Sequence, residues 1–230
     1  MLKDNYKTVL KNIEDACRRV GRDPDEVTLI SVSKTKPVED IRDVYEGGCR
    51  DFGENKVQEI VKKVPELPDD IRWHMIGHLQ TNKVKQVIDK ACLIHSVDSV
   101  HLAEEIEKQA ARLDMTVDIL LEVNIAREET KFGMMKSEAI DMVKEIAGFP
   151  HIRIVGLMTI APYVDDPENN RPIFRALKDL SVDIMKENID NVSMGVISMG
   201  MSNDYVVAVE EGATLVRVGT SIFGERNYAI

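Results

Sequence analysis

The sequence has few cysteines and no long apolar run, and both shortages narrow the classes of protein it can be. Its three cysteines, Cys17, Cys49 and Cys92, lie far apart and form no CxxC motif. This number and spacing favour reduced, buried thiols over a disulfide framework or a structural zinc site. No apolar run approaches the roughly 20 residues of a membrane-spanning helix, and the N-terminal segment MLKDNYKTVL is charged too early for a signal peptide. We therefore expect a cytoplasmic protein.

Positive charge and linker-like segments are also scarce. The chain carries 30 lysines and arginines against 40 acidic residues, a net charge of −10. This balance argues against a general nucleic-acid or anionic-membrane binder, because those partners are attracted by basic surfaces. No Gly/Ser-rich or Pro-rich stretch divides the 230 residues, of which 43% are hydrophobic. The sequence therefore predicts a single domain over residues 1–230 with one sizeable core.

The chain repeats one pattern. After an amphipathic opening helix at about residues 3–20, short apolar runs alternate with charged segments of helical period. The apolar runs are Val27–Ser33, Arg50–Gly53, Arg72–Ile76, Cys92–Ser96, Val117–Val123, Ile152–Met158, Val192–Ser198 and Leu215–Val218. The helical segments are Pro37–Glu46, Asn55–Val64, Asn82–Asp89, Val100–Leu113, Ser137–Ala147, Pro167–Asn188, Ser202–Glu211 and a short turn near Ser221. Eight such units predict an α/β fold, the (β/α)8 TIM barrel. An open doubly wound sheet is the main competitor, but its glycine fingerprint is absent after the first strand, where the chain reads SKTKP.

A barrel places functional groups on the loops after its strands, and phosphate is commonly held by the loops after strands seven and eight. Here these loops read SMGMSND and RVGTSIFG. Gly200 and Gly219 would allow backbone N–H groups to approach an anion, and Ser198, Ser202 and Thr220 would add hydroxyl donors. Glycine and serine also make ordinary turns, and either loop alone slightly favours that interpretation, but two such loops in the expected places favour the phosphate site.

A lysine follows the first apolar run. Lys34 stands at the exit of a buried strand, where a low dielectric favours the neutral amine that can form a Schiff base. If the strand continues, Lys34 and Lys36 share its parity and point to the same side, because Pro37 keeps Lys36 extended. Lysines near strand ends are also often simply solvated.

Arg217, near the end of the eighth strand, supports a cofactor site. A guanidinium keeps its proton and can donate to a pyridine nitrogen, which then stays unprotonated. The alternative is an ion pair with Glu210 or Glu225.

The five histidines carry no clear metal signal. His74 and His78 are four residues apart, but they span a strand end and a loop rather than a helix. His95, His101 and His151 fit ordinary strand or helix ends. We therefore predict no metal site.

Seven segments, in this order over nearly the whole chain, carry a family resemblance: SVSKTKP, FGENKVQE, HMIGHLQTNK, VNIAREETKFG, GLMTIAP, SMGMSND and VRVGTSIFG. Together they resemble the YggS/PROSC family. The resemblance implies a pyridoxal 5′-phosphate binding protein with the barrel of fold-type III enzymes, related to the N-terminal domain of alanine racemase. Members of this family are regarded as pyridoxal phosphate homeostasis proteins without an established catalytic reaction.

The resemblance also implies roles for individual residues. By this similarity Lys34 carries the internal aldimine, Arg217 faces the pyridine nitrogen and Asn55 neighbours the ring. The phosphate would be held by Ser198, Ser202, Gly219 and Thr220. Lys36 and Lys131 match lysines of the family that have been considered for secondary cofactor handling. Lys56 and His78 differ from the residues most common in the family at these positions.

Three functions fit these residues. The first is a non-catalytic carrier that captures the cofactor on Lys34, limits its free pool and supplies apo-enzymes. The second is a weak amino-acid racemase or lyase with Tyr163 or another loop residue as the missing acid. The third, independent of the family, is a Schiff-base aldolase for a sugar phosphate. The chain leaves no room after the eighth strand for the β-rich second domain of alanine racemase, which favours the carrier and a monomer.

Overall fold

Over residues 1–126 and 132–225, which this computed structural model describes, eight parallel strands form a closed barrel whose last strand pairs with the first. The strands are β1 (Thr28–Val32), β2 (Asp51–Glu54), β3 (Arg72–Met75), β4 (Ala91–Val97), β5 (Val117–Glu122), β6 (Ile152–Met158), β7 (Val192–Ser198) and β8 (Leu215–Val218). The α-helices described are α1 (Leu2–Val20), α2 (Val38–Glu46), α3 (Val57–Lys63), α4 (Val84–Val87), α5 (Val100–Arg112), α6 (Ala139–Ile146), α7 (Arg171–Lys186), α8 (Tyr205–Glu210) and α9 (Thr220–Phe223).

The apolar residues of the strands divide between two sides of the barrel wall. Outward-facing side chains such as Phe52, Ile94 and Leu157 join the helices in one large hydrophobic core. A smaller cluster fills the barrel interior, and its buried members are Ile30, Leu93, Leu120, Met158 and Leu215. Because side chains alternate along a strand, a residue two positions from a member of this cluster also faces the interior.

Helix α1 lies outside the repeating pattern and packs against α2, α8 and α9. Its C-cap is Gly21, whose φ of 71° lies in the left-handed region that favours glycine. Asn5 Nδ2 donates to the carbonyl of Ile222 at 2.9 Å, and Asn12 Nδ2 donates to the hydroxyl of Tyr205 at 2.8 Å. These bonds attach α1 to α9 and α8, which follow the last two strands.

Strands β6 and β7 approach each other closely at one glycine. A Cβ atom on Gly156 would lie 1.7 Å from the carbonyl oxygen of Val196, so only glycine fits at this point. The register between the two strands shifts between Ile154 and Gly156. On the neighbouring strand, a Cβ atom on Gly195 would meet nothing within 4 Å.

The structure confirms the predicted barrel, with small differences at element ends. The predicted bounds of β6, β7 and β8 coincide with those observed. Helix α4 is shorter than the predicted segment Asn82–Asp89, because a 3-10 turn occupies Thr81–Lys83. The α-helix predicted from Pro167 begins at Arg171, after another 3-10 turn that the Asp166 side chain caps. Among the described residues, no helix combines the length and the apolar character needed to cross a bilayer.

Candidate functional site

A cavity of about 680 Å³ lies where the strands of the barrel end, on the side predicted from the sequence. It takes residues from the loops after β1, β2, β3, β6, β7 and β8. The lining residues are Val32, Lys34, Asn55, Ile76, Ile160, Pro162, Tyr163, Met201, Ser202, Asn203, Asp204, Arg217, Gly219, Thr220, Ser221 and Glu225. Six of the seven residues predicted for the cofactor site are among them, and the exception is Ser198.

Lys34 and Lys36 do not point to the same side, contrary to the expectation from strand parity. The chain leaves β1 after Val32 and turns at Lys34 and Thr35, and the φ of Thr35 is 64°. Lys34 is half-buried and lines the cavity. The amine of Lys36 instead donates to the carbonyl of Phe223 at 2.8 Å, at the end of α9. The expectation was wrong because it extended the strand through a turn.

A buried charged cluster holds the backbone on both sides of Lys34. Lys63 is 5% exposed, and its amine donates to the carbonyl of Ser33 and to the carboxylates of Glu54 and Glu59 at 2.7 to 2.9 Å. Ser33 donates its hydroxyl to Glu54 at 2.7 Å, and the Thr35 backbone N–H donates to Glu59 at 2.8 Å. The residues before and after Lys34 are therefore tied to β2 and α3.

Arg217 is 4% exposed, and its guanidinium lies at the inner end of the cavity. It donates to the hydroxyl of Ser198 at 2.5 Å and to the carbonyl of Thr159 at 2.9 Å. Burial lowers the pKa of Arg217 to about 10, with Glu122 opposing, so the group stays charged at neutral pH. Of the two alternative partners for an ion pair with Arg217, Glu210 instead binds Arg19 and Arg171.

Ser198 does not lie where the sequence places it. The residue is fully buried, and its hydroxyl contacts Arg217 and the Nδ1 atom of His95 at 2.9 Å. Strand parity explains the position: Ser198 is the last residue of β7, two residues beyond Val196, which packs against the interior cluster. The phosphate role expected for Ser198 therefore has no support in this geometry.

Donors from the loops after β7 and β8 converge on one point. Ser202 Oγ accepts from the backbone N–H of Gly219 at 3.2 Å and from that of Ser221 at 3.4 Å. Thr220 adds an exposed hydroxyl beside them. The backbone amides of Gly219 and Ser221 and the hydroxyls of Ser202, Thr220 and Ser221 thus lie at one rim of the cavity. This set suits a phosphate group. Ser221 was missed as a site residue, although it stands in the same GTS segment that suggested Thr220.

Among the remaining cavity residues are one side chain with an unpartnered polar atom, one exposed tyrosine and two residues of the loop after β7. Asn55 Oδ1 is buried and has no hydrogen-bond partner, which leaves an acceptor available at the cavity wall. Tyr163 lines the rim and is 82% exposed. Met201 lines the cavity, and Asp204 holds its loop by accepting from the backbone N–H of Met201 at 2.7 Å. No charge or apolar pattern distinguished Asp204 in the sequence.

Four of the five histidines lie where the sequence predicts, and His95 is the exception. His74 faces Asp51 at 3.1 Å, whereas His78 faces Asp98 at 3.3 Å, so the two do not converge. His95 is fully buried inside the barrel and is not an ordinary strand-end residue. Over residues 1–126 and 132–225, no group of three potential ligands among His, Cys, Asp and Glu could hold a metal ion. Lys131 lies outside the described residues.

Comparison with known proteins identifies the family of the chain. The family model of the alanine racemase N-terminal domain matches residues 5–227. The chain belongs to this family. The pyridoxal phosphate homeostasis protein of Aquifex aeolicus is 47% identical over 226 residues, which is 98% of each chain. This similarity confirms the resemblance to the YggS/PROSC proteins within the family.

Solved structures agree with the sequence relatives. PipY of Synechococcus elongatus, in a structure with pyridoxal phosphate bound, is 33% identical with a TM-score of 0.80, covering 92% of this chain and 100% of PipY. The alanine racemase of Clostridium difficile has a TM-score of 0.76 at 16% identity, covering 98% of this chain and 58% of the racemase. The racemase likeness concerns the barrel fold alone.

Proposed function

We propose that this protein binds pyridoxal 5′-phosphate in the cavity and takes part in intracellular homeostasis of that cofactor. One observation carries the proposal: a half-buried lysine, a buried charged arginine and a cluster of hydrogen-bond donors suited to a phosphate line a single cavity of about 680 Å³. The names of the relatives and the PipY structure support the same ligand.

The residues present fit the chemistry of this cofactor. When bound, it supplies an aldehyde that reacts with a primary amine and a pyridine ring that acts as an electron sink. In our proposal Lys34 provides the amine and binds covalently, with loss of water. Ser202, Gly219, Thr220 and Ser221 hold the phosphate with hydroxyl and backbone donors. Asn55 neighbours the ring, where its unpartnered Oδ1 can accept from a polar substituent.

Arg217 would donate to the pyridine nitrogen and leave it unprotonated. An unprotonated ring is a weaker electron sink than a protonated one, so the proposed placement of Arg217 disfavours chemistry on an amino acid. Racemisation would also need an acid on the second face, and Tyr163 is 82% exposed to solvent. These features favour a non-catalytic carrier over the alternative, a weak racemase or lyase.

The exposed rim of the cavity favours reversible binding of the cofactor. Tyr163, Asn203, Thr220 and Ser221 are all exposed, so the phosphate side of the cavity faces solvent. We further propose that the protein works in the cytoplasm as a monomer, takes up free cofactor and releases it to apo-enzymes.

The test is the absorption spectrum of the protein after addition of pyridoxal phosphate and then borohydride. The wild type should develop a visible band, and reduction should leave a stable adduct that peptide mass spectrometry places on Lys34. Lys34→Ala should lose both signals. Lys36→Ala is the matched control and should keep the Lys34 adduct, because Lys36 does not line the cavity and its amine is bonded to the carbonyls of Phe223 and Glu225.

Other outcomes separate the competing functions. If neither the band nor the adduct forms in the wild type, cofactor binding is refuted and the sugar-phosphate aldolase becomes the leading function. Lys34-dependent racemisation or elimination of amino acids at rates on the order of 1 per second would show that the protein is an enzyme rather than a non-catalytic carrier.

A further inference from the structure

A chain of hydrogen-bonded side chains crosses the inside of the barrel below the cavity. It begins at Arg217, whose guanidinium donates to Ser198 Oγ at 2.5 Å. Ser198 Oγ lies 2.9 Å from His95 Nδ1, and His95 Nε2 lies 3.0 Å from His74 Nδ1. His74 Nε2 lies 3.1 Å from Asp51 Oδ1, which also accepts from Arg72. Five side chains on five strands thus connect the cavity to the opposite end of the barrel.

Every member of this chain is shielded from water. His95 and Ser198 are fully buried, and Arg217, His74 and Asp51 are between 4% and 7% exposed. In such surroundings each donor needs an acceptor, because an unpaired buried polar group costs roughly 1–3 kcal/mol. The two imidazole rings meet edge to face, with centroids 5.2 Å apart.

If both histidines are neutral, the two ends of the chain determine the direction of all its hydrogen bonds. Arg217 can only donate, so Ser198 Oγ accepts from it and is free to donate its own proton to His95 Nδ1. A neutral His95 then carries its proton on Nε2 and donates to His74 Nδ1. His74 in turn carries its proton on Nε2 and donates to the Asp51 carboxylate, which can only accept.

The charges agree with this direction. Burial holds the pKa of His95 well below its usual range, and the positive charge of Arg217 acts in the same sense, so His95 is neutral. The pKa of Asp51 is lowered despite its burial, because His74 and Arg72 donate to the carboxylate. A neutral histidine and an ionised aspartate are the forms that a one-way chain requires.

We infer that Ser198, His95, His74 and Asp51 form a one-way hydrogen-bond chain that positions the Arg217 guanidinium at the inner end of the cavity. His95 keeps the Ser198 hydroxyl turned away from Arg217, so that its oxygen remains the acceptor for the guanidinium. Together with the carbonyl of Thr159, this acceptor holds Arg217 from two directions. The effect on ligand binding rests on the proposed function, whereas the direction of the chain does not.

The direction can be measured on the ligand-free protein. In long-range 1H–15N spectra of the 15N-histidine-labelled chain at neutral pH, His74 and His95 should both be neutral with the proton on Nε2. Spectra of His74→Gln and His95→Gln assign the two signals. A proton on Nδ1 of His95, or a charged ring at either position, would overturn the inference.

The positioning effect is tested with pyridoxal phosphate and with pyridoxal, which lacks the phosphate. His95→Leu removes the acceptor for Ser198 without touching the cavity, and we expect the Kd for both compounds to rise about tenfold, as for one lost hydrogen bond. His95→Gln keeps an acceptor and should stay within about threefold of the wild type. Ser31→Ala is the control, since it removes another fully buried strand serine, one that contacts Cys49.

The outcomes are distinct. An unchanged Kd in His95→Leu would refute the positioning role while leaving cofactor binding intact. If His95→Leu fails to fold by circular dichroism, Ser198→Ala decides with pyridoxal: a tenfold weaker binding supports the inference and an unchanged Kd refutes it. Failure of the wild type to bind pyridoxal phosphate would refute the proposed function, and the tautomers would still test the chain.

Discussion

Burial controls the charge of Glu122, the last residue of β5. It is 4% exposed, and burial raises its pKa to about 7, with Asp98 adding to the effect and Arg217 opposing it. An unfolded glutamate has a pKa of about 4.3. Between these values the folded protein holds a proton that the unfolded chain has lost, so stability is lost as the pH rises through this window.

We therefore predict that raising the pH from 5 to 8 removes stability through Glu122. The contribution is on the order of 3 kcal/mol in the free energy of unfolding. Urea unfolding of the ligand-free protein at both pH values measures it. Glu122→Gln should reduce the difference between the two pH values, whereas Glu145→Gln, at an exposed position on α6, should keep the wild-type difference. Equal pH dependence in Glu122→Gln and the wild type would contradict the prediction.

Lys63 is expected to matter more for stability than its neighbour Lys62. Lys63→Met leaves the fully buried carboxylate of Glu54 without its cation and frees the carbonyl of Ser33. Breaking a buried ion pair from one side costs about 3–5 kcal/mol. Lys62→Met, at an exposed position one residue earlier, should change stability by less than about 0.5 kcal/mol. Chemical denaturation of the two variants checks the difference, and similar losses in both would contradict the role of the cluster.

Single residues of the site were predictable where their chemistry is unusual for their position. Lys34 and Arg217 stand out because charged groups follow or end buried strands, and both line the cavity. The role of Ser198 and the direction of Lys36 were not predictable in this way. The contacts of Ser198 depend on which side of β7 faces the interior. The direction of the Lys36 side chain depends on the left-handed backbone conformation at Thr35. His95 was not predictable for the same reason as Ser198, because only the structure shows that Leu93, two residues before it, belongs to the interior cluster.

At the scale of elements, the contact between β6 and β7 gives the sharpest prediction. Gly156→Ala would place a Cβ atom 1.7 Å from the carbonyl oxygen of Val196, so the strands must separate. Overpacking of this kind costs about 1–3 kcal/mol, and a backbone contact this short belongs at or above the upper end. Gly195→Ala has open space at its Cβ and should change the midpoint of thermal unfolding only slightly. Equal midpoints for the two variants would show that β6 and β7 tolerate separation.

Elements were predictable from periodicity because the strands are short apolar runs bounded by polar turns. Their order followed from the repeated alternation with helices. Helix starts were less predictable, because 3-10 turns precede α4 and α7 with much the same residues as a helix. The contacts of α1 with α8 and α9 depend on Asn5 and Asn12, whose partners are about 200 positions away. Periodicity within one segment carries no information about such distant partners.

At the scale of the whole molecule, the cavity joins segments that are distant in sequence. We predict that saturating pyridoxal phosphate slows hydrogen exchange at the backbone amides of Gly219 and Ser221 and in the turn around Lys34. Helix α5, whose residues do not line the cavity, should exchange at its original rate and serves as the internal control. Ligand binding suppresses local opening only where the ligand makes contacts. Uniform slowing over the barrel, or slowing confined to helices, would contradict this placement of the ligand.

The pairing of β1 with β8 has a consequence for protein synthesis. The ribosome makes Lys34 early. Strand β8, which pairs with β1 and carries Arg217, emerges only after most of the chain, and Gly219 follows it. An incomplete chain therefore exposes the amine without the guanidinium and amides that would make it selective. Possession of a selective pocket thus reports that the ribosome has passed β8 and that this strand has joined β1.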